Sequence, residues 1–151
     1  MHEPDSGLKI ADRRFDELSA RELHDIMRLR CDVFVVEQAC IYPDLDGRDT
    51  EPATRHVWVA GSDTPVIAYA RCLRDSDGTA RIGRVVTAEN HRGRGHAARL
   101  VTHLVESLEG EVVLDAQTYL LDWYVDLGFE RNGEDFVEDG IPHTPMRRSN
   151  G

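Results

Sequence analysis

Apolar positions along the chain recur with two different periods, and the points where the period changes mark the expected elements. Residues from Lys9 to Phe15 read as a first strand. Ser19-Ala-Arg-Glu22 follows as a capping box, in which the serine oxygen takes a free helix N–H and the glutamate reaches back. Leu23, Ile26, Met27, Val33 and Phe34 then fall at roughly helical spacing, which predicts one amphipathic helix broken near Cys31. Residues 40–54 are rich in Pro, Asp and Gly and read as a loop. Arg55 to Ala60 alternates as a strand, Gly61 to Pro65 turns, and Val66 to Leu73 returns as the second arm of a hairpin. After a turn at Asp75 to Gly78, Arg81 to Thr87 forms a further strand.

A helix opens near Gly95. Its apolar residues Ala97, Leu100, Val101, Leu104, Val105 and Leu108 make the stripe of a helix lying on a sheet. Val112 to Leu114 is a short continuous apolar run, as expected for a buried central strand. Leu120 to Leu127 reads as a short helix stopped by Gly128. Short strands are expected at Phe129 to Arg131 and Phe136 to Glu138, a turn at Asp139-Gly140, and a last strand near Met146. The order is β, α, β, β, β, α, β, α, β, which specifies an α/β (α+β) fold with a mixed sheet and helices on its faces. Met1 to Gly7 and Arg148 to Gly151 are expected to fray.

Length and charge narrow the function classes. A chain of 151 residues with 40% hydrophobic content fits one domain spanning 1–151. No apolar run approaches the roughly 20 residues of a membrane span, and the N-terminal decapeptide has neither a basic nor an apolar stretch. The expectation is a cytoplasmic protein without a membrane partner. A net charge of −10 disfavours a nucleic-acid partner and suits a cationic substrate. Cys31, Cys40 and Cys72 are odd in number without metal-ligand spacing, so they read as free thiols. The histidines 24, 56, 91, 96 and 103 form no metal-spaced pair, and no metal is expected. Asp44, Asp46 and Asp49 fail the calcium-loop test, because Gly47 stands fourth and Arg55 twelfth in that register. They read either as a solvated turn-rich loop or as an acidic rim that draws in a cationic amine. A homodimer is left open.

The candidate chemistry concentrates in residues 81–97. A strand runs into Arg92-Gly-Arg-Gly-His-Ala97, which opens a helix. Glycines let successive N–H groups converge, and the helix N-terminus adds partial positive charge. Together with two arginines this is a receptor for a phosphate or pyrophosphate. A P-loop is excluded, since no Gly-Lys-Ser/Thr follows. Gly93-x-Gly95-x-x-Ala98 matches the dinucleotide fingerprint formally, with Asp115 at the end of the next strand as the ribose-binding acid. Two facts oppose that reading. Ala88 to Arg92 intervene between strand and glycines, and residues 116–151 are too few to complete a doubly wound sheet. An acyl-CoA pyrophosphate loop and an exposed turn remain as readings of the loop alone.

The wider pattern resembles the GNAT superfamily of N-acetyltransferases. Arg92, Gly95 and Ala97 match its Arg/Gln-x-x-Gly-x-Gly/Ala loop, and Trp123-Tyr124-Val-Asp-Leu-Gly128-Phe129 matches a second family motif at the proper distance. Leu29 to Gln38, Cys40, Tyr42, the Asp44 to Asp49 segment and Glu138 to His143 are similar to the ElaA-like branch, with Ile41 where that branch usually has proline. The resemblance spans about Leu23 to Met146. It implies direct transfer of an acetyl group from acetyl-CoA to an amine in a ternary complex.

The resemblance also distributes roles. The amides and side chains of Arg92, Gly93, Arg94, Gly95, His96 and Ala97 would hold the pyrophosphate, with Gln117 against the pantetheine or adenosine arm. Main-chain N–H groups of Val85, Val86 and Thr87 would polarise the thioester carbonyl. Tyr124 would protonate the departing thiolate, a transfer between groups of similar pKa. The strand from Arg81 to Thr87 carries no carboxylate base. Glu37 and His143 are the candidate bases: Glu37 because it ends the apolar run Val33 to Val36, where burial would raise its pKa, and His143 because imidazole titrates near neutrality. Two alternatives stand beside this reading: a module that holds acyl-CoA without transfer, and an acyl-homoserine-lactone-synthase-like enzyme, suggested by Arg30 to Phe34.

Overall fold

A computed structural model describes residues 8–150. Met1 to Gly7 and Gly151, all expected to fray, lie outside the described residues.

The chain begins with strand β1 (Ile10–Arg14) and helix α1 (Ala20–Arg30). The capping box forms as the sequence suggests: Ser19 Oγ accepts from the Glu22 N–H at 3.0 Å, and Glu22 Oε1 accepts from the Ser19 N–H at 2.8 Å. The expected break at Cys31 takes a specific form. Residues Cys31–Glu37 continue as a π-helix, with the Gln38 N–H bonded to the Val33 carbonyl and the Cys40 N–H to that of Val35. The wider turn keeps Val33 and Phe34 buried and brings Glu37 to the surface.

Strands β2 (Arg55–Val59), β3 (Ala68–Arg74) and β4 (Ala80–Thr87) form an antiparallel meander with β1. Helix α2 (His96–Glu106) leads to β5 (Gly110–Gln117), and helix α3 (Leu121–Asp126) follows. Strands β6 (Glu130–Arg131), β7 (Phe136–Glu138) and β8 (Ile141–Asn150) complete the sheet. Its order is β1-β2-β3-β4-β5-β8-β6, with β7 also on β8. Among the described strands, β4 and β5 alone run parallel.

Alternation along the strands sorts the core into two layers. Val57 and Val59 face α2, where Leu100, Val101, Leu104 and Val105 are buried with Ile82, Leu114 and Met146. Trp58 and Tyr69 face the other way, against Ile26, Leu29, Val33 and Phe34. Each such side chain contributes about 1.5–3 kcal/mol by leaving water.

Strand β8 is longer than its sequence suggested, and it corrects the expectation of a frayed end from Arg148 to Asn150. Asn150 pairs with Gly110, and its Nδ2 donates to the carbonyls of Val105 and Leu108 at 3.0 and 3.1 Å, closing the C-terminal end of α2. Pro142 and Pro145 disguise this strand, since proline lacks the N–H of a ladder. Pro145 is accommodated because its backbone faces Asn132, whose N–H donates to the Pro145 carbonyl at 2.8 Å, in the gap between β6 and β7.

Candidate active site

Strand β4 is bent where it matters. Between the pairs Tyr69↔Val86 and Arg71↔Gly83 the register slips, placing Arg84 and Val85 opposite Ala70 alone. Arg84 takes φ +51°, a left-handed conformation that costs a non-glycine residue about 1–2 kcal/mol. Such a bulge bends and twists its strand. Consistently, β4 pairs with β5 only at Ala80↔Val112 and Arg81↔Val113, and the strands then part. The opening between them is the floor of a cleft of about 890 Å³.

The bend determines which backbone donors face the opening. The Ala88 N–H donates to the Ile67 carbonyl on the β3 side, and Val86 pairs with Tyr69. Alternation along the strand therefore turns the N–H groups of Thr87 and Val85 away from β3, towards the gap. The Thr87 carbonyl points the same way and accepts from Arg92 Nε at 3.2 Å. Of the segment Val85 to Thr87, Val86 has its backbone committed to β3 and its side chain in the core.

Beyond Thr87 a 3-10 turn (Glu89–His91) delivers the glycine loop. Gly93 and Gly95 have φ +77° and +82°, and a Cβ built on either would meet no atom within 4 Å. Their need for glycine is thus conformational, and the space around them is open. Gly95 is the N-cap of α2 and offers no side-chain acceptor. The first backbone bond of the helix runs from the Arg99 N–H to the Gly95 carbonyl, so the N–H groups of Ala97 and Ala98 lie ahead of the intrahelical ladder. The His96 imidazole is buried, so this residue can serve the cleft through its main chain. Backbone donors at a helix N-terminus suit an anionic diester.

Arg92 is held by an acid from far along the chain. Its Nη1 and Nη2 donate to Glu37 Oε2 and Oε1, each at 2.7 Å. This corrects the expectation that burial raises the Glu37 pKa. The side chain is 40% exposed, and the Arg92 guanidinium holds its carboxyl below the usual range. A carboxylate so stabilised is a poorer base.

Tyr124 lies on α3, buried and flanked edge-on by Trp123 and Phe129. Burial, with a smaller contribution from Tyr119, pushes its phenol pKa up, so the proton stays on oxygen at neutral pH. His143, on β8, pairs with Gln117 at the end of β5 and stacks on Phe136 of β7 with ring centroids 5.5 Å apart. Its Nδ1 lies 2.8 Å from the Ile141 carbonyl. A carbonyl only accepts, so Nδ1 carries the hydrogen and Nε2 keeps its lone pair in the neutral ring. Each of the sequence candidates, from Glu37 to His143, lines the same cleft. The loop after the π-helix meets the β7–β8 turn there, through Cys40 Sγ and the Asp139 carbonyl at 3.3 Å.

Asp44 and Asp49 are buried among arginines, whereas Asp46 is exposed at the cleft and accepts from the Arg48 N–H in a turn, as a solvated turn-rich loop would have it. Arg30, fully buried, donates to Asp44 Oδ2 at 3.0 Å and to Asp49 Oδ1 at 2.7 Å. Arg71 holds both oxygens of Asp46 at 2.9 Å. Arg84 reaches the Asp44 carbonyl at 3.0 Å, which braces the strained bulge. Burial raises the carboxyls of Asp46 and Asp49, but their arginine partners outweigh it and hold both below the ordinary range. Three arginines against three aspartates is a signal present in the composition, but the partners lie up to 40 positions apart.

A mixed sheet parted at its parallel pair, with an uncapped helix N-terminus at the opening, is the architecture of an acyltransferase. Residues 33–149 match the family model of the acetyltransferase (GNAT) domain, and the chain belongs to that family. Its relatives include the protein ElaA of Escherichia coli, 38% identical over 144 residues that cover 91% of this chain and 94% of that one. A UPF0039 protein of Mycobacterium tuberculosis is 45% identical over 136 residues, 87% of each chain. The crystal structure of E. coli ElaA superposes with a TM-score of 0.87 at 36% identity, covering 94% of this chain and 99% of that one. An acyl-CoA N-acyltransferase from Pseudomonas aeruginosa does so at 0.87 and 35%, covering 95% and 100%. Within the family the chain is ElaA-like.

Proposed function

We propose that this acyltransferase moves an acetyl group from acetyl-CoA to an amine by direct transfer while both are bound. The observation that carries the reading is the parting of β4 from β5 immediately after Arg81↔Val113. It leaves a slot lined on one side by β4 backbone donors that face away from β3, and ended by the α2 N-terminus, where Gly95 supplies no side-chain cap. The residues fit the donor. The amides from His96 to Ala98, at the open turn of Gly93 to Gly95, suit a pyrophosphate, and Gln117 on the β5 lip suits an amide-bearing arm.

Chemistry then follows from the side chains. An ammonium has no lone pair, so a base must take its proton. His143 suits this better than Glu37, because its Nε2 is unprotonated in the neutral tautomer while the Glu37 carboxylate is engaged by Arg92. The N–H groups of Val85 and Thr87 are positioned to stabilise negative charge on the carbonyl oxygen, an effect worth a few kcal/mol in a water-poor site, about 2.7–4 per donor. The Tyr124 phenol supplies a proton to the leaving sulfur. Its raised pKa keeps that proton on oxygen until the thiolate forms, but sets the phenol further above a thiol than the similar values expected from free tyrosine, so transfer relies on positioning.

The test is release of free CoA thiol from acetyl-CoA across a panel of primary amines. Amine-dependent release by the wild type, with His143→Gln lowered about 100-fold or more at unchanged acetyl-CoA affinity, supports the reading. Release that ignores the amine, or a His143→Gln protein as active as wild type, removes the direct-transfer scheme or its base respectively.

A further inference from the structure

The Glu37–Arg92 pair has a geometry that the transfer chemistry alone does not require. It joins the last residue of the π-helix to the first residue of the glycine loop, 55 positions away, across the mouth of the cleft. Both guanidinium Nη atoms are used, at 2.7 Å each, in the fork-to-fork arrangement that also fits a phosphate. The third contact, from Nε to the Thr87 carbonyl, anchors the arginine beside the gap. The local backbone supports the pairing. A seven-residue π-helix is rare, and its extra residue per turn changes which side chain faces the glycine loop; here that side chain is Glu37. Both partners are 40% exposed, so the pair is reachable by a solute and its strength is modest.

Resting on the acyl-CoA reading above, we propose that the Glu37–Arg92 pair is a latch opened by the donor's phosphates. Arg92 exchanges one forked anion for another, and Glu37 is released as the phosphates take its place. No bond to carbon is made or broken in this step; only the partner of the guanidinium changes.

Glu37 acts as a positioning residue through Arg92, and the sign of its effect on donor binding separates a latch from a brace. Calorimetric titrations use CoA and, as a probe without the pyrophosphate, acetyl-pantetheine. Glu37→Gln is expected to tighten CoA by about two- to fivefold, the factor corresponding to an exposed pair of good geometry, and to leave acetyl-pantetheine unchanged. Arg92→Gln is expected to weaken CoA, and the double variant to match Arg92→Gln alone, since Glu37 works only through the arginine. In the wild type, the Glu37 carboxyl carbon followed by NMR should titrate at higher pH once CoA saturates the protein. A Glu37→Gln protein that binds CoA equally or more weakly, or a Glu37 titration unmoved by CoA, overturns the latch and leaves the acyl-CoA site standing. A wild type that binds no CoA overturns both.

Discussion

Tyr124 and Gly95 show how single residues carry the account. The phenol of Tyr124 is buried among aromatic rings and its pKa is raised, so it stays protonated through the range in which amines become nucleophilic. Tyr124→Phe keeps the ring and its packing and removes only the hydroxyl group. Turnover by thiol release should fall by about 100-fold, with CoA affinity in calorimetry unchanged; equal turnover would end the acid assignment. The motif around Tyr124 was readable because its spacing is short and local. Glu37 was misread for the opposite reason. Four apolar residues before it suggested burial, but the π-helix turns it outward to an arginine 55 positions downstream, and nothing in the local sequence encodes that meeting.

At the scale of elements, the site depends on a bend in β4 that the strand's composition conceals. Bulges usually advertise themselves with glycine, whereas this one places Arg84 in the left-handed region. Its brace is the buried network of Arg30, Arg71, Asp44 and Asp49, with the exposed Asp46 paired to Arg71. The loop that supplies those acids reads as solvent-facing because each partner lies on another element. Arg30→Met is expected to destabilise the protein by about 3 kcal/mol in urea unfolding, since Asp44 and Asp49 lose their fully buried partner and keep only Arg84 and Arg71. Loss of less than 1 kcal/mol would mean that the network is dispensable. Helix α2 and strands β2 to β5 were legible, because stripe and alternation survive wherever one face is buried. Strand β8 was nearly hidden by its two prolines, of which Pro145 is accommodated in the gap between β6 and β7 and Pro142 lies opposite Val137 beside the β7–β8 turn.

For the whole molecule, the same buried groups set the response to acid in two stages. His56 is fully buried between the Tyr69 hydroxyl at 2.7 Å and the Asp49 carbonyl at 3.0 Å, and burial lowers its pKa. As pH falls below about 6.5, the unfolded chain takes up a proton there that the folded chain refuses, so stability declines. Asp12, Asp46 and Asp49 have lowered pKa values in the fold. Their stabilisation is present above about pH 4 and is lost as pH falls through their folded values. Urea midpoints at pH 7.5, 5.5 and 3.5 should therefore step down twice, and His56→Gln should flatten the first step only. A midpoint constant from pH 7.5 to 5.5 in the wild type would contradict the buried neutral histidine.

On the function proposed above, the parting of β4 and β5, closed by the glycine turn, receives acyl-CoA. Calorimetric titration of acetyl-CoA into the wild type and into Gly95→Val tests it most directly. Valine is strained at φ +82° and sets a side chain in the open space over the α2 N-terminus. The wild type is expected to bind one-to-one and the variant at least about tenfold more weakly, a difference of about 1.4 kcal/mol. Failure of the wild type to bind acetyl-CoA, or equal affinity in a folded Gly95→Val protein, would contradict it.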